Sequence, residues 1–158
     1  MKKLVLLLLV LFSLFSFAKK VNIVILETSD LHGRLFSYDY AIDQVDSSAG
    51  LTKVATIIKE ERAKNKNLIL ADNGDTVQDN NAELFNSMPI HPMIQGLNDL
   101  KYDFWTLGNH EFNFEKEFLL KNISGFKGKV LSANVIKEDG KPLVNPYITA
   151  IITIDTSI

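Results

Sequence analysis

The sequence predicts an α/β fold in which a partial, mostly parallel sheet carries flanking helices. Short apolar runs rich in branched residues alternate along the chain with segments whose apolar residues recur at helical spacing. This alternation is typical of βαβ units, whose strands lie parallel in one sheet. In addition, polar side chains follow directly after three of the predicted strands. That placement is where α/β proteins build their sites.

Five segments have the composition of buried strands. The first, VNIVILET at residues 21–28, is a nearly continuous apolar run, as expected for a strand covered on both faces. Residues 67–72 (NLILAD), 102–108 (YDFWTLG) and 128–134 (GKVLSAN) repeat this pattern. Residues 146–154 (PYITAIITI) are predicted as a fifth strand. Trp105, inside the third, is expected in the core.

Three segments between the strands have helical periodicity. Residues 50–64 place apolar side chains at i, i+3, i+4 and i+7, which form one face of a helix. Residues 89–100 repeat this spacing, with Pro89 suited to an early helix position. Residues 114–122 predict a short third helix. The aromatic stretch at 32–49 is predicted as a long loop, and loops of that length are more often functional than idle.

The first twenty residues predict export. Two lysines precede an apolar run from 4 to 17, and small residues stand at the positions that a signal peptidase reads. We therefore predict a signal peptide at 1–18 and a periplasmic or secreted mature chain from about Lys19, with an uncleaved N-terminal anchor as the alternative. No stable membrane anchor is expected after cleavage. The net charge of -2 supplies no basic field, so nucleic-acid binding is not expected.

Polar clusters follow the first three predicted strands. They lie at residues 29–33 (SDLHG), 72–75 (DNGD) and 108–111 (GNHE). Because the carboxyl ends of parallel strands lie along one edge of a sheet, we expect these clusters to converge there. Singly, each is compatible with an ordinary turn. All three in this order, each after a buried strand, indicate a site.

The side chains of these clusters suit divalent cations. Asp30 and His32 would point the same way in an extended segment, so one ion can take both. Asp75 has two oxygens with which to bridge two ions, and Asn109 offers a neutral amide oxygen. Oxygen and imidazole ligands suit Zn, Mn or Fe, and with no cysteine in the chain a thiolate site is excluded.

The blocks DLH, NGDTVQ and GNHE resemble the first three signature blocks of the calcineurin-like metallophosphoesterases, over about residues 21 to 150. The similarity is greatest to exported 5'-nucleotidases and 2',3'-cyclic-nucleotide 2'-phosphodiesterases. The resemblance implies a metallophosphoesterase-like fold, two divalent metal ions and a nucleotide or cyclic-nucleotide substrate. It also implies the following roles: Asp30 and His32 at the first ion, Asp75 bridging both, Asn109 at the second, and His110 contacting the phosphoryl group.

One position separates the two branches of this family. The 5'-nucleotidase pattern carries an aspartate that orients the preceding histidine, whereas GNHEFN has Asn113 in that place. Asn113 is therefore predicted as a catalytic residue beside His110. The asparagine, the glutamine of DNGDTVQ, HPMI and YDY at 38–40 resemble the cyclic-phosphodiesterase branch. That branch is favoured, with the 5'-nucleotidases as the alternative.

The resemblance also implies ligands that this sequence does not contain. Family members take further ligands from later histidine-bearing blocks, but the three histidines here are His32, His91 and His110. We expect residues 19–158 to be the N-terminal portion of a catalytic domain truncated at the C-terminus, with little activity alone. A non-catalytic remnant is the alternative.

Three further side chains have less specific expectations. Arg34 either contacts a phosphate or lies in solvent on a loop. His91 is predicted to lie on the surface, because it has no partner nearby in sequence. Glu111 is either a buried acceptor that supports the site or a carboxylate in water.

Overall fold

The computed structural model describes residues 20–151, so the predicted signal peptide at 1–18 lies outside the described residues. A four-stranded sheet, a small hairpin and three α-helices make up the described part. The strands are β1 (Val24–Thr28), β2 (Tyr38–Asp39), β3 (Gln44–Val45), β4 (Leu68–Asp72), β5 (Phe104–Thr106) and β6 (Lys129–Leu131). The helices are α1 (Leu51–Lys64), α2 (Pro92–Asp99) and α3 (Lys116–Gly125), with 3-10 turns at Ala82–Phe85 and His110–Phe112.

The main sheet has the strand order β1-β4-β5-β6, and all of its neighbouring strands are parallel. The predicted α/β class is confirmed, and so are the first four strands. Thr28 pairs with Asp72, and Asp72 with Trp105, so β1 and β4 end level with each other and β5 passes beside them. The loops after these three strands therefore leave the sheet at one edge, which we call the C-terminal edge.

The helices and the sheet share one hydrophobic core. Leu70, Trp105 and Val130 lie on the same face of the sheet by register, and each is buried. Trp105 is fully buried, as predicted, and packs edge-on against Phe126. The helical side chains that join this cluster are Leu51, Ile58, Met93, Ile94, Leu97, Phe118 and Leu119. None of the helices in residues 20–151 is long and apolar enough to cross a membrane.

The predicted fifth strand is wrong for residues 146–151, which form no strand, and residues 152–154 lie outside the described part. The chain does return to the sheet. Asn145 makes one isolated parallel bridge with Leu131, and Ser132 donates its N–H to the Asn145 carbonyl at 3.0 Å. Residues 146–151 make no further pairing with β6.

The stretch at 32–49 is not only a loop. It contains the β2–β3 hairpin, which the sequence analysis did not predict. Arg34 joins this region to the segment after β4, since its guanidinium pairs with Asp46 and donates to Asn80 Oδ1 at 3.1 Å. Arg34 therefore has a structural role, and its side chain is 22% exposed.

The prediction that His91 lies on the surface is wrong. The side chain is 1% exposed and caps the N-terminus of α2, where Nδ1 accepts the Met93 N–H at 3.3 Å. Its Nε2 donates to the Ala82 carbonyl at 3.0 Å, and its backbone N–H donates to Asn122 Oδ1 at 2.9 Å. Burial lowers the pKa of His91, because the protonated form loses its hydration.

Candidate metal centre

The loop after β1 is held by backbone bonds to the loop after β4. Asp30 N–H donates to the Gly74 carbonyl at 3.0 Å, and His32 N–H donates to the Asp75 carbonyl at 2.9 Å. These bonds place Asp30, His32 and Asp75 in the left-handed region, at φ 56°, 45° and 56°. The predicted extended conformation of Asp30 to His32 is therefore wrong. A left-handed residue other than glycine costs about 1–3 kcal/mol and is typical of functional sites.

Three side chains from the three polar clusters meet at the C-terminal edge. His32, Asp75 and His110 each offer a ligand atom, and these atoms lie within 4.8 Å of one another. The two imidazole rings are edge-to-face with centroids 4.8 Å apart. All three residues are half-buried. Loops after β1, β4 and β5 supply one residue each.

Hydrogen bonds engage Nδ1 of both imidazole rings, so Nε2 of each ring can bind an ion. His32 Nδ1 donates to Asp79 Oδ2 at 2.9 Å, and His110 Nδ1 donates to Gln78 Oε1 at 2.7 Å. Histidines that bind metals commonly donate their other N–H in this way. Two unprotonated Nε2 atoms and the carboxylate of Asp75 form a donor set that fits a divalent ion such as Zn, Mn or Fe.

The remaining predicted site residues lie around this group. Asp30 Oδ1 is 3.7 Å from His32 Nε2, and the Asp30 side chain is 63% exposed. Asn113 Nδ2 donates to Gln78 Oε1 at 2.5 Å and lies 3.2 Å from His110 Nδ1. Asn109 is exposed and precedes the 3-10 turn that contains His110. The roles of these residues as ligands or catalysts stay predictions.

Comparisons with known proteins identify the family of this chain. The sequence profile described as calcineurin-like phosphoesterase matches residues 23–155. The chain belongs to the calcineurin-like phosphoesterase family. It is 36% identical over 143 residues to the trifunctional nucleotide phosphoesterase protein YfkN of Bacillus subtilis, covering 84% of this chain and 10% of that protein. It is also 36% identical over 138 residues to the 2',3'-cyclic-nucleotide 2'-phosphodiesterase/3'-nucleotidase of Yersinia enterocolitica, covering 83% and 21%.

A more distant curated relative and a solved structure agree with this membership. The Naja atra snake venom 5'-nucleotidase is 35% identical over 121 residues, covering 72% of this chain and 22% of that protein. The crystal structure of YfkN has a TM-score of 0.72 at 37% identity, covering 80% of this chain and 41% of that chain. The expected metallophosphoesterase-like fold is confirmed. The chain spans from a tenth to about a fifth of the length of these curated relatives.

Glu111 holds two loops of this site together. Its carboxylate is 1% exposed and accepts three backbone N–H groups, from Asp75 at 2.9 Å, Thr76 at 2.7 Å and Gly108 at 2.7 Å. Of the two alternatives that the sequence left open, Glu111 is the buried acceptor. It fixes the backbone of Asp75 relative to the segment that carries His110.

A second buried carboxylate is that of Asp72, which belongs to the predicted polar cluster at 72–75 but received no role of its own from the sequence. It ends β4 and accepts the hydroxyl hydrogens of Thr28 and Thr76, each at 2.6 Å, and the Gly74 N–H at 3.1 Å. Burial raises its pKa to about 6, although these three bonds act in the opposite direction. Its signal in sequence was indistinguishable from that of a turn-forming aspartate.

Close backbone approach at Gly108 completes the site. A Cβ added to Gly108 would lie 2.3 Å from Asp75 Oδ1 and 2.7 Å from the Asp75 nitrogen. The glycine between β5 and Asn109 is therefore required because the carboxylate of Asp75 occupies that space. Asp75 Oδ1 also accepts the His110 N–H at 2.9 Å.

Proposed function

We propose that this chain is the N-terminal portion, residues 19–158, of the catalytic domain of an exported, metal-dependent nucleotide phosphoesterase. The observation that carries the proposal is the group of His32, Asp75 and His110 at the C-terminal edge, with Nδ1 of both rings occupied. Residues 1–18 are proposed as a signal peptide that directs the protein to the periplasm or outside the cell.

The proposed reaction type is that of a 2',3'-cyclic-nucleotide 2'-phosphodiesterase/3'-nucleotidase. The similarity to the Yersinia enterocolitica protein of that name supports it, at 36% identity. Asn113 and Gln78, which resemble the cyclic-phosphodiesterase branch, support it further. The 5'-nucleotidase type is the alternative, favoured by the 35% identity to the Naja atra protein.

The proposed ligands to two divalent ions are Asp30, His32, Asp75 and Asn109. When bound, such ions supply positive charge that polarises the oxygens of a phosphoryl group. Asp75 Oδ1 is engaged with the His110 N–H, so Oδ2 is its less encumbered oxygen. Because Glu111 fixes the backbone of Asp75, the carboxylate is held in place before any ion binds.

His110 supplies proton chemistry from the chain itself. With Nδ1–H bonded to Gln78, the neutral ring presents an unprotonated Nε2 that can accept a proton. Once protonated, Nε2 can donate to phosphoryl oxygens or to a departing ribose oxygen. Arg34 is engaged with Asp46 and Asn80, so we assign it no role in phosphate binding.

The experiment is hydrolysis of 2',3'-cyclic AMP, 5'-AMP and bis-p-nitrophenyl phosphate by the full chain, with added Mn²⁺ or Zn²⁺. We expect slow turnover that requires the ion, is faster for the cyclic nucleotide, and is lost in Asp75→Asn and His110→Ala. Glu138→Gln, at an exposed position, is the matched control and should retain the rate. A preference for 5'-AMP would favour the alternative. Ion binding without hydrolysis of any substrate would contradict the proposed activity and favour a non-catalytic remnant.

A further inference from the structure

Gln78 lies between the two residues that the sequence paired as catalytic. Its Oε1 is 2.7 Å from His110 Nδ1 and 2.5 Å from Asn113 Nδ2. An amide oxygen only accepts hydrogen bonds, so both nitrogens donate to it. His110 therefore carries its hydrogen on Nδ1.

We propose that Gln78 is the positioning residue for His110, and that Asn113 acts on Gln78 rather than on the imidazole. The catalytic meaning of this assignment rests on the proposed function. The hydrogen-bond assignment itself does not, because it concerns only three side chains of the chain.

The distances favour Gln78 over Asn113 as the direct partner of the ring. Asn113 Nδ2 is 3.2 Å from His110 Nδ1, but two N–H donors that face each other form no hydrogen bond. Gln78 is half-buried, whereas Asn113 is exposed, so water competes less for the bond to Gln78. The bond also spans 32 positions and connects the loop after β4 to the loop after β5.

Asn113 has a separate task in this arrangement. A glutamine amide can turn by half a rotation, which would present NH2 to His110 and reverse the tautomer of the ring. The donation from Asn113 to Oε1 favours the orientation in which the oxygen faces the ring. The asparagine at this position thus matches the glutamine, since an aspartate would repel the same oxygen.

The two rings of the centre are supported by different chemistry. His32 Nδ1 donates to the carboxylate of Asp79, a kind of partner that commonly orients metal-binding histidines. His110 Nδ1 donates instead to the neutral amide of Gln78. The two rings therefore have different hydrogen-bond partners, although both lie near Asp75.

The test is the tautomer of His110, measured by ¹⁵N–¹H correlation spectra of the full chain without metal, at a pH where the rings are neutral. The other two histidines provide internal references. His32 donates from Nδ1 to Asp79, and His91 donates from Nε2 to the Ala82 carbonyl. We expect the Nδ1–H form for His110 in the wild type and in Gln78→Glu. In Asn113→Ala it should stay the major form, with a minor Nε2–H form from turned Gln78 amides. Gln78→Leu should lose the pure Nδ1–H signature.

Either of two results would overturn the proposal: an Nε2–H form of His110 in the wild type, or loss of the Nδ1–H form in Asn113→Ala but not in Gln78→Leu. Displaced His32 and His91 signals would show that Gln78→Leu fails to fold. In that case the His110 tautomer in the wild type, Gln78→Glu and Asn113→Ala still tests the proposal. Where the chain is active, Gln78→Leu should lower kcat about tenfold with KM little changed, and Gln78→Glu should restore it. An inactive chain with the Nδ1–H form would remove the proposed function and leave the positioning assignment intact.

Discussion

Replacing Glu111 with glutamine removes the charge that holds three backbone N–H groups at the centre of the site. The substitution keeps the size of the side chain and one carbonyl oxygen. In the wild type, Oε2 accepts from Asp75 and Gly108, and Oε1 accepts from Thr76. Glutamine keeps the bonds from Asp75 and Gly108 when its amide oxygen takes the Oε2 position. Its NH2 group then faces the Thr76 N–H.

The expected cost follows from those bonds. Losing the Thr76 bond leaves a buried donor unsatisfied, at about 1–3 kcal/mol. The other two bonds change from charge-assisted, at about 1.5–3 kcal/mol each, to neutral, at about 0.5–1.5 kcal/mol each. Relief from burying a charge offsets part of this loss. We expect the free energy of unfolding to fall by about 3 kcal/mol, a large share of the roughly 5–15 kcal/mol of a typical domain.

The assay is urea unfolding of the wild type, Glu111→Gln and Glu138→Gln, with linear extrapolation to water. Glu138 is exposed, so its substitution should change stability by no more than about 0.5 kcal/mol. Glu111→Gln should also weaken binding of Zn²⁺, because the backbone of Asp75 is less constrained. A Glu111→Gln chain as stable as the Glu138→Gln control would refute the role assigned to this carboxylate.

Two further substitutions test the site and the core. Gly108→Ala places a Cβ 2.3 Å from Asp75 Oδ1, so calorimetry should show at least about a tenfold loss of Zn²⁺ affinity. Glu138→Gln, at an exposed position, is the control, and equal affinities in the two variants would contradict the close-approach argument. Burial lowers the pKa of His91, so the unfolded chain takes up the proton first as the pH falls below about 6.5. The stability contributed by neutral His91 is therefore complete above that pH and is lost below it. The urea midpoint of the wild type should fall between about pH 7 and pH 5, and that of His91→Gln should fall less. If the midpoints of the two proteins fall equally with pH, the loss of stability does not come from His91.

Local patterns in the sequence were sufficient to predict the four strands of the main sheet. The apolar runs at β1, β4, β5 and β6 are strands because each is rich in strand-forming residues, and parallel pairing follows from the helices between them. The same rule explains why His32, Asp75 and His110 meet although up to 78 positions separate them: strand ends determine where the loops begin. The expectation that β1 is covered on both faces is wrong, since Ile25 is 66% exposed.

The sequence did not reveal contacts that depend on distant partners. Asp30 and His32 are left-handed because their N–H groups bond to the loop after β4, more than 40 positions away. His91 is buried because the Ala82 carbonyl, nine positions before it, and Asn122 Oδ1, 31 positions after it, accept its N–H groups. The role of Gln78 likewise required the geometry, since the sequence marked this glutamine as a feature of one branch of the family but gave no sign of its contact with His110.

The most direct test of the metal centre is anomalous diffraction from crystals of the chain grown with Zn²⁺. We expect an anomalous peak about 2.1 Å from His32 Nε2 and from a carboxylate oxygen of Asp75. The peak should disappear in Asp75→Asn and persist in Glu138→Gln. Zinc bound only at other surface carboxylates, or no peak at the C-terminal edge, would contradict the central claim.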